Sequence, residues 1–91
     1  MQSYTIEHNP LQYKFFTIID DLEAYVLYSI DDEKLTIHST YVPKLLEGKG
    51  IASKLTKECY EYAKSKKLKP AATCSYAVVW LKRHKLGAMA T

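Results

Sequence analysis

The stretch Val42-Pro43-Lys44-Leu45-Leu46-Glu47-Gly48-Lys49-Gly50-Ile51-Ala52-Ser53-Lys54-Leu55 decides how the rest of the chain reads. It leaves an apolar run that ends at Pro43, crosses a loop with two glycines and enters a helix pattern. The first N–H groups of a helix have no partner inside it and carry partial positive charge, so a strand, loop and helix start in this order make a cradle for an anion such as phosphate. Gly48 and Gly50 have no side chain to hold a ligand off the backbone. Glycine also tolerates the positive φ that turns successive N–H groups toward one point. Lys49 and Lys54 add positive charge. Two familiar phosphate loops fail on spacing: no Gly-Lys-Ser or Gly-Lys-Thr stands at the nucleotide-hydrolase position, and Ser53 stands where the dinucleotide fingerprint ends on glycine. Spacing alone fits equally a loop whose glycines only turn the chain into a helix.

Before this stretch the apolar period is two. Residues 13–19, 23–30 and 35–42 are rich in β-branched and aromatic side chains, and Asp20-Asp21 and Asp31-Asp32-Glu33-Lys34 separate them as turns. Three strands with such short connections predict an antiparallel meander. Residues 1–10 read as a leader of uncertain structure, with a strand at Tyr4-Thr5-Ile6 as the one candidate within it. After the glycines the period changes to 3.6. Ile51, Ala52, Leu55, Cys59, Tyr62 and Ala63 share one face, and Lys54, Lys57, Glu58, Glu61 and Lys64 share the other, which predicts an amphipathic helix of about four turns. Cations at its end suit the helix dipole, and Pro70 stops its continuation. Residues 69–74 predict a strand beside the third one, joined to it in parallel because a helix lies between them. Residues 76–84 predict a final helix with Ser75 as its cap. The expected class is α+β or α/β, in one domain spanning residues 1–91.

Composition narrows the function classes. With 91 residues, 47% hydrophobic and 25% charged, the chain has the balance of a small folded domain and not of a disordered segment. No apolar run approaches the length of a membrane span, and no basic-then-apolar leader opens the chain, so the default expectation is a cytoplasmic protein with no membrane partner. Cys59 and Cys74 do not form a C-x-x-C pair, and His8, His38 and His84 are scattered, so no metal site is expected. The charge is uneven. Residues 1–42 hold two lysines against seven acidic residues, whereas residues 43–91 hold eleven Lys or Arg against three. The basic half begins at the glycine loop, which suits a phosphorylated ligand or a nucleic-acid backbone. The aromatic residues among its lysines, Tyr60 and Tyr62, fall in the helix pattern rather than on a sheet face, so stacking on nucleic acid is not indicated.

The meander, Val42-Pro43, the Glu47-Gly48-Lys49-Gly50-Ile51-Ala52 loop, the helix, and Pro70 ahead of Cys74-Ser75-Tyr76 together resemble the GNAT superfamily of acetyl-CoA-dependent N-acetyltransferases, and within it the very small YjdJ-type, minimal GNAT-like members. The resemblance covers residues 15–84. It implies a minimal GNAT fold: the meander, a helix, a strand parallel to the meander's last strand and a C-terminal helix. The superfamily's pyrophosphate loop, Arg/Gln-x-x-Gly-x-Gly/Ala, falls here on Glu47, Gly50 and Ala52, and Glu47 departs from it. The resemblance implies that acetyl-CoA or CoA is held by Gly48, Lys49, Gly50, Ile51, Ala52, Ser53 and Lys54. It also implies that the strand ending at Tyr41 and Val42 splays from the one ending at Cys74, leaving an opening whose exposed edge pairs with the pantetheine amides. Arg83, in the basic end of the last helix, is the candidate for the cofactor's adenosine phosphate.

The same resemblance makes Cys74 and Tyr76 the candidate catalytic residues. A Cys74 thiolate can accept acetyl from a thioester and pass it to an amine if a helix start or a cation lowers its pKa. Tyr76 is a candidate acid for the leaving thiolate when the amine attacks directly, and His38 is a candidate base. A buried core cysteine and packing tyrosines are the plain readings of the same residues. The leading functional expectation is transfer of acetyl from acetyl-CoA to a primary amine, small molecule or exposed lysine or chain end. The alternative is a CoA-binding regulatory module with little turnover, because larger relatives build their acceptor pocket from helices inserted between the first two strands, where this chain has only a turn.

Overall fold

The turns of the meander use backbone that L-residues seldom adopt. Asp20 and Asp21 have φ of 52° and 65°, and Asp32 and Glu33 have 52° and 62°. Two successive left-handed residues are the type I′ geometry, whose twist matches that of antiparallel strands. Asp tolerates it through its short polar side chain, which explains why acidic turns serve here without glycine. The computed structural model describes residues 4–83. Its sheet has the order β1-β2-β3-β4-β5, with β1 at Glu7–Asn9, β2 at Lys14–Ile19, β3 at Leu22–Asp31, β4 at Lys34–Tyr41 and β5 at Lys69–Ala72. Neighbours from β1 to β4 are antiparallel, and β5 joins β4 in parallel. A short 3-10 helix, Lys44–Leu46, leads through the glycine loop into α1, Ile51–Ser65, and α2 is Ser75–Arg83.

The expected three-strand meander, helix, parallel strand and terminal helix are all present. Two details differ. The leader contains a strand at Glu7–Asn9, not at Tyr4-Thr5-Ile6, so the meander gains a fourth strand at its edge. Thr5 instead gives its carbonyl to the buried Thr17 hydroxyl at 2.8 Å. Strand β5 ends at Ala72, because the N–H groups of Thr73 and Cys74 both turn to the Ile37 carbonyl. His84, at the expected end of the last helix, lies outside the described residues. No described helix is long and apolar enough to cross a membrane.

Alternation along the strands buries one sheet face. Phe15, Thr17, Ile19, Ala24, Val26, Tyr28, Leu35 and Ile37 are enclosed beneath the helices. Truncating an enclosed side chain such as Leu55 on α1 costs about 2–5 kcal/mol in comparable cores. Helix α1 buries more than its predicted stripe, because Thr56 and Tyr60 are enclosed as well. Tyr60 rests against Trp80 of α2 with ring centroids 5.6 Å apart, and its hydroxyl donates to the Ala71 carbonyl at 2.6 Å. The helix therefore serves two surfaces, the sheet and α2. The other sheet face stays open, with Ile18 57% and Tyr41 48% exposed.

Strand β1 is fixed by an aromatic cluster. His8 stacks on Phe15 with ring centroids 4.0 Å apart and planes 4° from parallel, and Tyr62 of α1 meets it edge-on at 4.4 Å. Burial pushes the Tyr28 phenol up, with Tyr62, Cys59 and Tyr13 adding to the effect, and its hydroxyl shares a hydrogen bond with His8 Nε2 at 2.6 Å. Burial pushes the His8 imidazole down from its ordinary 6.5. Above that pH the ring is neutral in folded and unfolded chains alike, and nothing is lost. As the pH falls through 6.5 the unfolded chain takes up the proton first, so stability is expected to decline on acidification. Melting temperatures of the wild type and His8→Gln between neutral and mildly acid pH check this. The variant is expected to lose less on acidification, and parallel losses would contradict the argument.

Candidate functional site

Strand β4 runs past β5, and that overhang makes the site. Pairing with β5 stops at Ile37 opposite Ala72, while β4 continues to Tyr41 bonded to β3 alone among the described strands. A β-bulge lies at the same level. Tyr28 faces Ile37 and Leu27 faces Ser39, so His38 is the extra residue on β4. The β4–β5 ladder thus ends at the level where the two strands are expected to part. Beyond that level β4 leads through residues 42–50 into α1, and β5 leads through Thr73 and Cys74 into α2, which is bonded to the first turn of α1 through Trp80 and Ser53.

The glycine loop has the conformation its residues permit. Gly48 and Gly50 have φ of 81° and 76°, in the left-handed region. Gly50 is the residue at which α1 begins, no side chain caps it, and the first intrahelical bond runs from Lys54 N–H to its carbonyl at 3.1 Å. The N–H groups of Ile51, Ala52 and Ser53 are thus the helix's unpartnered donors. A Cβ on either glycine would meet no protein atom within 4 Å, so the space before them is open. Leu46 is buried and anchors the loop, whereas Glu47 is exposed with extended backbone.

The named cofactor candidates separate by what they can offer. Ile51 is buried and contributes only its backbone. The Ser53 hydroxyl accepts from the Trp80 indole at 3.0 Å, so that side chain ties α2 to the first turn of α1, leaving the Ser53 N–H to the cradle. Lys49 is exposed in the loop. Lys54 points to the outer side of α1: its ammonium lies 5.7 Å from the Tyr4 ring centroid, and it lines a cavity of about 390 Å³ with Tyr4, Thr5, Ile6, Lys57 and Glu58. Val42 packs against the core. Tyr41 turns its ring to the open sheet face, against Tyr25 at 5.4 Å. Arg83 is exposed one turn beyond Trp80, on the same side of α2.

Cys74 was expected at the end of a strand, with Ser75 capping α2. Its actual position is the cap itself. The Cys74 carbonyl accepts from Val78 N–H at 3.0 Å, and its sulfur receives the N–H groups of Ala77 and Tyr76, as a capping serine oxygen would. The Thr40 hydroxyl on β4 lies 3.6 Å from the sulfur, across the opening. Burial raises the thiol, but the bonds from Ala77 N–H, the Thr40 hydroxyl, Tyr76 N–H and Thr40 N–H outweigh it and hold the thiol below its ordinary 9.0. Cys59, by contrast, is buried and pushed up by desolvation, as expected of a core residue. Tyr76 is 39% exposed in the first turn of α2.

Sequence reasoning did not find Thr40, Thr73 or Ser29. His38 Nε2 meets Ser29 Oγ at 2.5 Å, and its Nδ1 meets Thr73 Oγ1 at 3.0 Å. No local signal marks these residues. The register of β3 against β4 and the end of β5 bring them together.

Residues 14–88 match the sequence profile described as GCN5-related N-acetyl-transferase. The structure is similar to the solution NMR structure of a GCN5-like protein from Staphylococcus aureus, with a TM-score of 0.74 and 29% identity over 99% of this chain and 89% of that one. No curated protein matches the chain.

Proposed function

This chain belongs to the GCN5-related N-acetyltransferase family, and from that premise we propose that it transfers acetyl from acetyl-CoA to a primary amine, with Cys74 carrying the acetyl in passage. One observation carries the reading: the Cys74 thiol caps α2 just beyond the end of β4–β5 pairing, 3.6 Å from the Thr40 hydroxyl, on a helix whose Trp80 bonds Ser53 in the first turn of α1.

The residues fit a CoA thioester. The open space before Gly48 and Gly50 accepts a pyrophosphate on the N–H groups of residues 51–53, and Lys49 and Arg83 supply charge for its phosphates. Backbone of Tyr41 and Val42, beyond the end of β4–β5 pairing, offers an edge to the pantetheine amides. When bound, acetyl-CoA supplies an acetyl group already activated as a thioester. The Cys74 thiolate is the nucleophile, kept in its charged form by the N–H groups of α2 and by Thr40. Tyr76 is the proton donor for the departing sulfur. The open sheet face suits an acceptor that presents its amine on a flexible stem, such as an exposed lysine, a chain end or a small polyamine.

Titration calorimetry with acetyl-CoA, combined with release of free CoA thiol in the presence of an amine panel, tests this reading. Binding with amine-dependent thiol release is expected. The uncovered sheet face, which lacks any acceptor-holding helix among the described residues, favours a second reading as a CoA-binding module. Tight binding with no transfer to any amine would select it.

A further inference from the structure

His38 sits where the two halves of the site meet, and its bonding has a property the rest of the site lacks. It is the bulged residue of β4, at the level where pairing with β5 ends. Its ring bridges Ser29 on β3 and Thr73 beyond β5, at 2.5 Å and 3.0 Å, and Thr73 is the residue before Cys74. Both partners are hydroxyls, each able to donate or to accept. A carboxylate or carbonyl partner would fix one tautomer and resist a change of charge. Between two hydroxyls the imidazole can gain a proton, lose one or exchange tautomers while keeping both bonds. The side chain is also exposed, so a proton taken up there has a route to water.

Helix α1 lies on the other sheet face. On the face of His38, the register puts Asp31, Lys34 and Lys69 toward one end of the sheet and Tyr25 and Tyr41 toward the other. Glu23 lies farther along the same face of β3, paired with Lys14 at 2.9 Å, and Cys74 and Tyr76 follow Thr73 at the start of α2. Ser29 and Thr73, the side chains that bond the ring, are uncharged.

We infer that His38 takes the proton released by the acceptor amine, through the Thr73 hydroxyl, an inference that rests on the acetyl-transfer reading above. In the step, the amine nitrogen forms a bond to the acetyl carbon held on Cys74. The carbon–sulfur bond breaks, and its electron pair stays on sulfur as the Cys74 thiolate. The proton lost by nitrogen passes to the Thr73 oxygen, which gives its own proton to His38 Nδ1. The imidazolium then discharges to water, and His38 is ready for another turnover. His38 positions and receives the proton by way of Thr73 and does not touch the reacting carbon.

The test compares the wild type, His38→Ala and Thr73→Val by amine-dependent thiol release across pH, with acetyl-CoA affinity measured by calorimetry. Both variants are expected to lose on the order of 10²-fold in kcat/KM for the amine and to keep their acetyl-CoA affinity. The fall in rate on acidification is expected to flatten in His38→Ala, and added imidazole is expected to restore part of its rate. A brace that only holds the opening in shape would give neither effect. Thr73→Val keeps His38 bonded to Ser29 and serves if His38→Ala does not fold. A wild type that transfers acetyl while both variants keep its rate and pH profile would overturn the inference alone. A wild type that binds acetyl-CoA without transfer would overturn the acetyl-transfer reading, and this inference with it.

Discussion

Cys74→Ser is expected to lower acetyl transfer on the order of 10³-fold while leaving acetyl-CoA affinity within a few-fold. Serine suits this test because its oxygen can take the same N–H groups of Ala77 and Tyr76 that the sulfur takes, so α2 keeps its cap. What changes is the chemistry: a serine hydroxyl stays protonated where this thiol ionises. Cys74→Ala removes the cap as well and is expected to cost about 1 kcal/mol of stability besides the activity. In the wild type, transfer is expected to rise with pH and to reach its half-maximum below the thiol's ordinary 9.0, since the thiolate is the reacting form. Mass spectrometry of the wild type with acetyl-CoA and no amine is expected to find one acetyl group on the peptide containing Cys74. If Cys74→Ser keeps the wild-type rate across pH, the covalent step is wrong and the amine attacks directly.

Gly50→Glu is expected to raise the acetyl-CoA dissociation constant on the order of 100-fold. Two unit negative charges about 4 Å apart repel by about 4 kcal/mol near a protein surface, and salt and exposure reduce that to the figure given. The new carboxylate would also take the free N–H groups of α1, a favourable place for a negative charge, and so fill the cradle with the protein's own anion. Backbone strain adds a smaller effect. At φ 76° any residue with a Cβ is disfavoured, by about 1 kcal/mol, whatever the room around it. Gly50→Ala isolates that part, since its methyl would meet no protein atom within 4 Å. Calorimetry of both variants separates charge from strain. Wild-type affinity in Gly50→Glu would remove the pyrophosphate from this loop.

Lys14 shows how an ammonium sits on the open sheet face: its Nζ is 2.9 Å from Glu23 and lies 5.1 Å and 5.5 Å from the ring centroids of Phe16 and Tyr25. A half-buried ion pair at the sheet surface, such as this one, contributes modestly to stability.

Periodicity and punctuation determined much of this protein. The period of two through residues 13–42, the change to 3.6 after Gly50, and Pro70 beyond α1 specified three strands, a helix and a crossover, because each is local. The positive φ of Gly48 and Gly50 was legible for the same reason, since few other residues adopt it readily. The features that only the tertiary structure decided all depend on a partner distant in the chain. Three polar residues, Glu7–Asn9, become a strand because the edge of β2 offers them a ladder and Phe15, Tyr28 and Tyr62 enclose His8. Thr56 and Tyr60 are buried because α1 meets α2 as well as the sheet. Cys74 passes from a strand end to a helix cap because its N–H turns back to Ile37, which brings its sulfur to Thr40. His38 joins Ser29 to Thr73 because one extra residue on β4 shifts the register against β3. A sequence records which residues prefer a strand, a turn or a cap, but a register shift and a strand's early end arise from pairing between segments, and here that pairing assembles the site.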